Sequence, residues 1–150
     1  MILAKHTISI FNRFLDGVPP FFQGGRPPAE SYNKTLVRYA QWEDSADRNS
    51  ANDGRTSIDK HIQIIIPLKA DTQGRKYIGY RDYELLPNEQ KLNFWTLKIN
   101  ECIIAFGDAP ELSSSFTIEK LKESYKHCLV KAVEDLTLQP ILPHWEIVGI

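Results

Sequence analysis

Several stretches of the chain carry the apolar patterning of strands, alternation with a period of two or dense β-branched runs, rather than that of helices. In "ISIFNRF", Ile8 to Phe14, the residues Ile8, Ile10 and Asn12 oppose Ser9, Phe11 and Arg13, so both faces are partly apolar and a strand is expected. "TLVRYAQW", Thr35 to Trp42, reads as a strand with Leu36, Arg38, Ala40 and Trp42 on one face and Val37, Tyr39 and Gln41 on the other. "HIQIIIPL", His61 to Leu68, is dense in β-branched residues, and Pro67 ends its ladder. Phe94 to Leu97 and Cys102 to Phe106 are two β-rich pieces joined around Asn100 and Glu101, expected as a tight hairpin or one bent strand. "HCLVKAVEDL" and the closing "HWEIVGI" complete the strands, with Trp145, Ile147 and Gly149 on the face opposite His144, Glu146 and Val148.

Helical spacing is clear in one place. In "TIEKLKESYK", Ile118, Leu121 and Tyr125 form an apolar stripe, Thr117 suits the N-cap and Glu119 the first turn. A short helical turn is also expected around Tyr80, Tyr83 and the Leu85–Leu86 pair, ended by Pro87. About six strands and one packed helix predict a mainly β fold, a small β-barrel or sandwich, in a single domain over 1–150. Trp42, Trp95 and Trp145 are the expected core anchors, with Trp145 tying the last strand into the interior.

Two segments break the alternation. "DGVPPFFQGGRPPAESYN" carries four prolines and three glycines and predicts an extended arm over 16–34. Phe21 and Phe22 in its middle must pack on the chain's own barrel or on a partner. With Arg26, Pro27 and Pro28 they are the candidate subunit or partner contacts. The run from Glu43 to Lys60 is the most polar in the chain and predicts a long hairpin loop over 43–60 with "NDG" at its tip. Asp47, Arg48, Asn49, Asn52, Asp53, Gly54 and Arg55 are its candidate functional residues.

Charge adds little direction, since 18 Lys and Arg meet 19 Asp and Glu for a formal net charge of -1. That balance gives no global attraction to nucleic acid or anionic membrane. The two cysteines, Cys102 and Cys128, sit in apolar runs as small core residues, and a pairing between them has no support. No stretch has the form of a signal peptide or the length of a membrane span, so a soluble protein made in the cytoplasm is expected.

Chemistry is equally quiet. The four histidines are scattered without metal-ligand spacing, and Asp44, Asp47, Asp53 and Asp59 lack the rhythm of a calcium loop. "FQGGRPP" has no phosphate-loop lysine or following helix. No catalytic residue, metal or cofactor is expected, and the chain reads as a non-enzyme. Arg75, Lys76, Tyr77, Tyr80 and Arg81 form a basic aromatic strip that would suit single-stranded nucleic acid, against a blander reading of half-buried tyrosines beside snorkelling arginines.

"ISIFNRF", "HIQIIIPL" after a variable loop, "WTLKINECIIAFG", the short helix and the final "HWEIVGI" resemble, in that order, a family of small neck proteins of tailed phages and prophages of Gram-positive hosts. Members are similar in plan to head-closure or stopper proteins. The resemblance implies a structural virion protein at the head-tail interface, a six- or twelve-fold homo-oligomeric ring. Portal and adaptor would lie above it, a tail terminator or tail tube below, and packaged double-stranded DNA would pass through its channel. The polar loop would then face the channel or gate it, and the arm would touch a neighbour. A tail-terminator or tail-completion ring protein, or a monomeric β-barrel binding nucleic acid, are the alternatives.

Overall fold

A computed structural model describes residues 4–16, 29–50 and 56–150, giving the backbone alone for 16, 29, 45–50 and 56–60. In chain order the elements are β1 (His6–Asp16), β2 (Ala29–Ser50), β3 (Thr56–Pro67), β4 (Lys76–Tyr77), α1 (Tyr80–Leu85), α2 (Asn88–Lys91), β5 (Phe94–Trp95), β6 (Ile103–Phe106), α3 (Ile118–Ser124), β7 (His127–Leu136) and β8 (His144–Gly149). Six of the strands close into an antiparallel barrel in the order β1-β2-β3-β8-β7-β6. Of the two architectures expected from the strand pattern, the barrel is the one formed, and closure leaves these strands few bare edges.

The inward face joins Ile8, Ile10, Val37, Trp42, Ile64, Ile66, Ile104, Cys128, Val130, Trp145 and Ile147 in one core. Each such aliphatic contributes about 1.5–3 kcal/mol on burial. At one end of the barrel Tyr77, Trp95 and Trp145 pack as a ring triad, with Trp95 and Trp145 centroids 5.0 Å apart and each 4.9 Å from Tyr77. All three tryptophans expected in the core are buried. A second core lies outside the barrel wall, where Phe11, Ile103 and Ala105 meet Leu121 of α3, flanked by Ile118 and Tyr125. This explains the two apolar faces of β1 and β6. Thr117 caps α3 by accepting the Lys120 backbone N–H at 3.4 Å.

Four expectations are corrected. The faces of β2 do not keep one alternation: Val37, Ala40 and Trp42 all point inward. A bulge at Tyr39, which holds φ +68°, shifts the register between His6↔Ala40 and Thr7↔Arg38 and reverses the parity. The two β-rich pieces around Asn100 are not partners. β5 pairs in parallel with β4, whereas β6 pairs with β1 and β7. Between them the Cys102 N–H donates to Lys98 O at 3.0 Å and Asn100 holds φ +68°, a turn that sends the chain into a different sheet.

The predicted arm over 16–34 is also too long. Residues 29–34 are strand, paired from Asp16↔Ala29 to Phe11↔Lys34, because the four prolines all precede Ala29 and leave that ladder intact. Phe21, Phe22, Arg26, Pro27 and Pro28 lie outside the described residues. The polar run 43–60 is mostly strand as well, paired from Gln41↔Ile65 to Ser50↔Thr56. Backbone pairing in a two-stranded ribbon needs no buried face, so it leaves no hydropathy signal. Beside the expected α3, and the turn that becomes α1, the structure adds the single-turn α2.

Candidate functional site

Strand lengths divide the barrel into two ends. β2 is 22 residues long, whereas β1 accompanies it only up to Ala40. β8 covers β3 from Ile62 to Pro67 and leaves it below that point. The six rungs from Ser45↔His61 to Ser50↔Thr56 therefore form a ribbon standing clear of the barrel, about 20 Å long at 3.4 Å per residue. Its base is fixed by side chains. His6 Nδ1 accepts the Trp42 backbone N–H at 3.1 Å, and Lys126 pairs with Asp44. Asp47, Arg48 and Asn49 fall on this ribbon, while Asn52, Asp53, Gly54 and Arg55 lie outside the described residues.

The opposite end carries the turn joining β7 to β8. Leu138, Ile141 and Leu142 are 98%, 76% and 54% exposed there, beside Leu68 at 48%. The turn is nevertheless held. Asp135 Oδ1 accepts the Thr137 N–H at 3.0 Å, and Pro143 O accepts the Leu68 N–H at 2.9 Å. His144 Nδ1 lies 2.5 Å from Leu142 O and its Nε2 lies 3.1 Å from Glu146 Oε1. Both partners are acceptors, so the doubly protonated ring suits the site, and the carbonyl of Leu142, aided by Glu146, raises the His144 pKa above its ordinary value. Leu142 holds φ +52°, a left-handed conformation that an aliphatic residue adopts only under constraint.

On the β1 side of the same end runs a groove of about 450 Å³ between the end of β1 and the α1–α2 pair. Phe14, Leu15, Leu86 and Pro87 supply its apolar lining. Four of its five charged residues are ion-paired within the chain: Arg13 with Glu30 at 2.6 Å and Glu101 at 3.4 Å, Lys98 with Glu84 and with Glu101 at 3.0 Å. Lys91 is buried, donating to Leu86 O at 2.6 Å and Asn88 Oδ1 at 3.0 Å, and burial lowers its pKa.

Comparison with known families places the whole architecture in one group. A model described as a family of unknown function (DUF6751) matches residues 4–150. The chain belongs to that family. No curated protein and no solved structure matches it. The matched range takes in the barrel, the ribbon, the β7–β8 turn and the groove together.

The basic aromatic strip is taken apart by the fold. Arg75 Nη1 turns inward to Asn33 Oδ1 at 2.7 Å, Lys34 O at 2.6 Å and Thr35 Oγ1 at 3.1 Å, and Tyr77 joins the ring triad. Tyr80 remains partly exposed, with Lys98 and Arg81 near its ring. Among the described residues no group of three or more His, Cys, Asp or Glu is gathered to hold a metal. Burial pushes the Cys128 thiol up to about 12 and the Cys102 thiol higher still, so both are held as unreactive thiols. Pro140 and Pro143 mark the sharp turn into the last strand in the sequence, but sequence reasoning missed the exposed apolar surface of that turn, and the groove. The signal for the first was present in "TLQPILP", three large aliphatics and two prolines with no ionisable residue.

Proposed function

We propose that this chain is a structural protein of the tailed-phage neck, of the head-closure or stopper type. It forms a ring that continues the DNA channel below portal and adaptor, helps retain the genome and docks the tail. One observation carries the reading beyond the sequence resemblance: β2 and β3 run on past the barrel as a braced ribbon. A compact barrel packs between neighbours in a ring, and a ribbon of about 20 Å reaches from such a wall toward the axis. The ribbon bears Asp47, Arg48 and Asn49, of mixed charge, which suits a surface that meets DNA without gripping its phosphates.

The reading is tested by deleting Asp47 to Thr56 in the genome that encodes the chain and counting filled, tailed particles by electron microscopy. The proposal expects particles that assemble a capsid but lose DNA or lack tails. Filled, tailed particles in normal number would remove the channel role from the ribbon.

A further inference from the structure

We infer that the Thr137–Pro143 turn of one copy seats in the β1 groove of a second copy of this chain, a head-to-tail contact that repeats from subunit to subunit. Three observations support this partner over another.

The first is position. The groove is built on β1 and the turn on β7 and β8, and β1 and β8 stand three places apart whichever way the six-stranded order is counted. Both lie at the end away from the ribbon, because β1 runs toward Asp16 and β7 toward Leu136 in the same direction. A convex patch on one flank and a concave patch on the other are different surfaces. They generate heterologous contacts, which close into rings when the rotation allows.

The second is charge. From Thr137 to Pro143 the turn has no ionisable side chain. The groove's Arg13, Lys98, Glu84 and Glu101 neutralise one another, and Lys91 is already buried against Leu86 O and Asn88 Oδ1, so an uncharged occupant covers the groove without parting any of these charges from its present partners.

The third is readiness. Leu138 and Ile141 stand out from a turn already fixed by Asp135, His144 and the Leu68 N–H, so little ordering is left to the moment of contact. The groove's 450 Å³ lies within the range of about 300–1,000 Å³ typical of concave binding sites.

The inference deepens the ring reading and rests on it for closure, but the contact is tested by itself. Two single variants, Leu15→Cys in the groove and Ile141→Cys in the turn, are purified, mixed at high concentration and oxidised. The expected result on a non-reducing gel is a covalent dimer in the mixture and monomer in each variant alone. Native Cys102 and Cys128 are buried and stay silent. Adding Leu138→Glu to the Ile141→Cys chain should cut the yield roughly tenfold or more, the loss expected of a buried anchor, with an unchanged melting temperature. No dimer in the mixture, or an equal yield from Ile141→Cys alone, overturns the contact. The chain carrying both cysteines should give a ladder ending at six or twelve copies. A ladder that runs on without closing supports the contact and contradicts the ring.

Discussion

Gly149 lies against Cys128 so closely that a β-carbon on the glycine would stand 2.6 Å from the Cys128 sulfur and 3.0 Å from Leu129 O. The last strand can therefore seal the barrel only with no side chain at that position. Gly149→Ala is expected to destabilise the fold by about 1–3 kcal/mol through overpacking, measured as a lower urea midpoint. Adding Cys128→Ala should return part of that loss, because it removes the nearest atom and leaves the residue-128 β-carbon, at 2.8 Å, and the Leu129 carbonyl in place. Purely additive effects would show that the sulfur is not what excludes the side chain.

Trp145 contributes rings to the triad but no hydrogen bond: its Nε1, like that of Trp42, is buried without a partner among the described residues. Trp145→Ala should cost about 3–5 kcal/mol and weaken the near-UV circular dichroism signal. Trp145→Phe should cost less than half of that, since the lost ring volume is offset by removal of an unsatisfied donor. Equal losses in the two variants would mean that the indole N–H has a partner.

Asn33 is the polar hinge between β2 and the segment that plugs the barrel end. Its Nδ2 donates to Lys91 O at 2.8 Å and Phe94 O at 3.2 Å, and to Tyr83 OH at 3.1 Å, while its Oδ1 accepts from Arg75. Asn33→Ala would leave these groups unpaired at a buried site and is expected to cost about 1–3 kcal/mol or more. Hydrogen exchange should show the loss first in the amides of α1, α2 and β5. A uniform loss across the barrel would contradict the local role.

His144 gives stability a pH dependence. Its folded pKa is raised above 6.5, so its contribution is fully present below pH 6.5 and is lost as pH rises through the folded value. The wild type should therefore lose more stability from pH 6 to pH 8 than His144→Gln, measured by denaturant midpoints. Parallel pH profiles would show that the ring does not titrate between Leu142 and Glu146.

The barrel strands and the α3 stripe were legible because each pairs a regular period with a buried face, as Ile8, Ile10 and Ile147 do. The faces on the two sides of Tyr39 were matched wrongly, with Val37 set opposite Ala40 and Trp42, because a single extra residue in a strand flips every later side chain while leaving the composition unchanged. A second bulge between Val130 and Ala132 does the same in β7, where the inward residues change from Cys128 and Val130 to Val133. The length of the ribbon was invisible because its backbone ladder needs no apolar alternation, and the Asn33–Arg75 network because residues 42 apart carry no local pattern. Of the candidate functional surfaces, the polar run 43–60 was visible in its composition. The groove was not, since β1 and the α1–α2 pair meet only in the folded chain.

The central claim is tested most directly by electron cryo-microscopy of the neck of particles produced by the genome that encodes this chain. The account predicts a ring of six or twelve copies between portal and tail, with the β2–β3 ribbon directed at the channel axis. Particles that lack the chain, or hold it outside the neck, would contradict it.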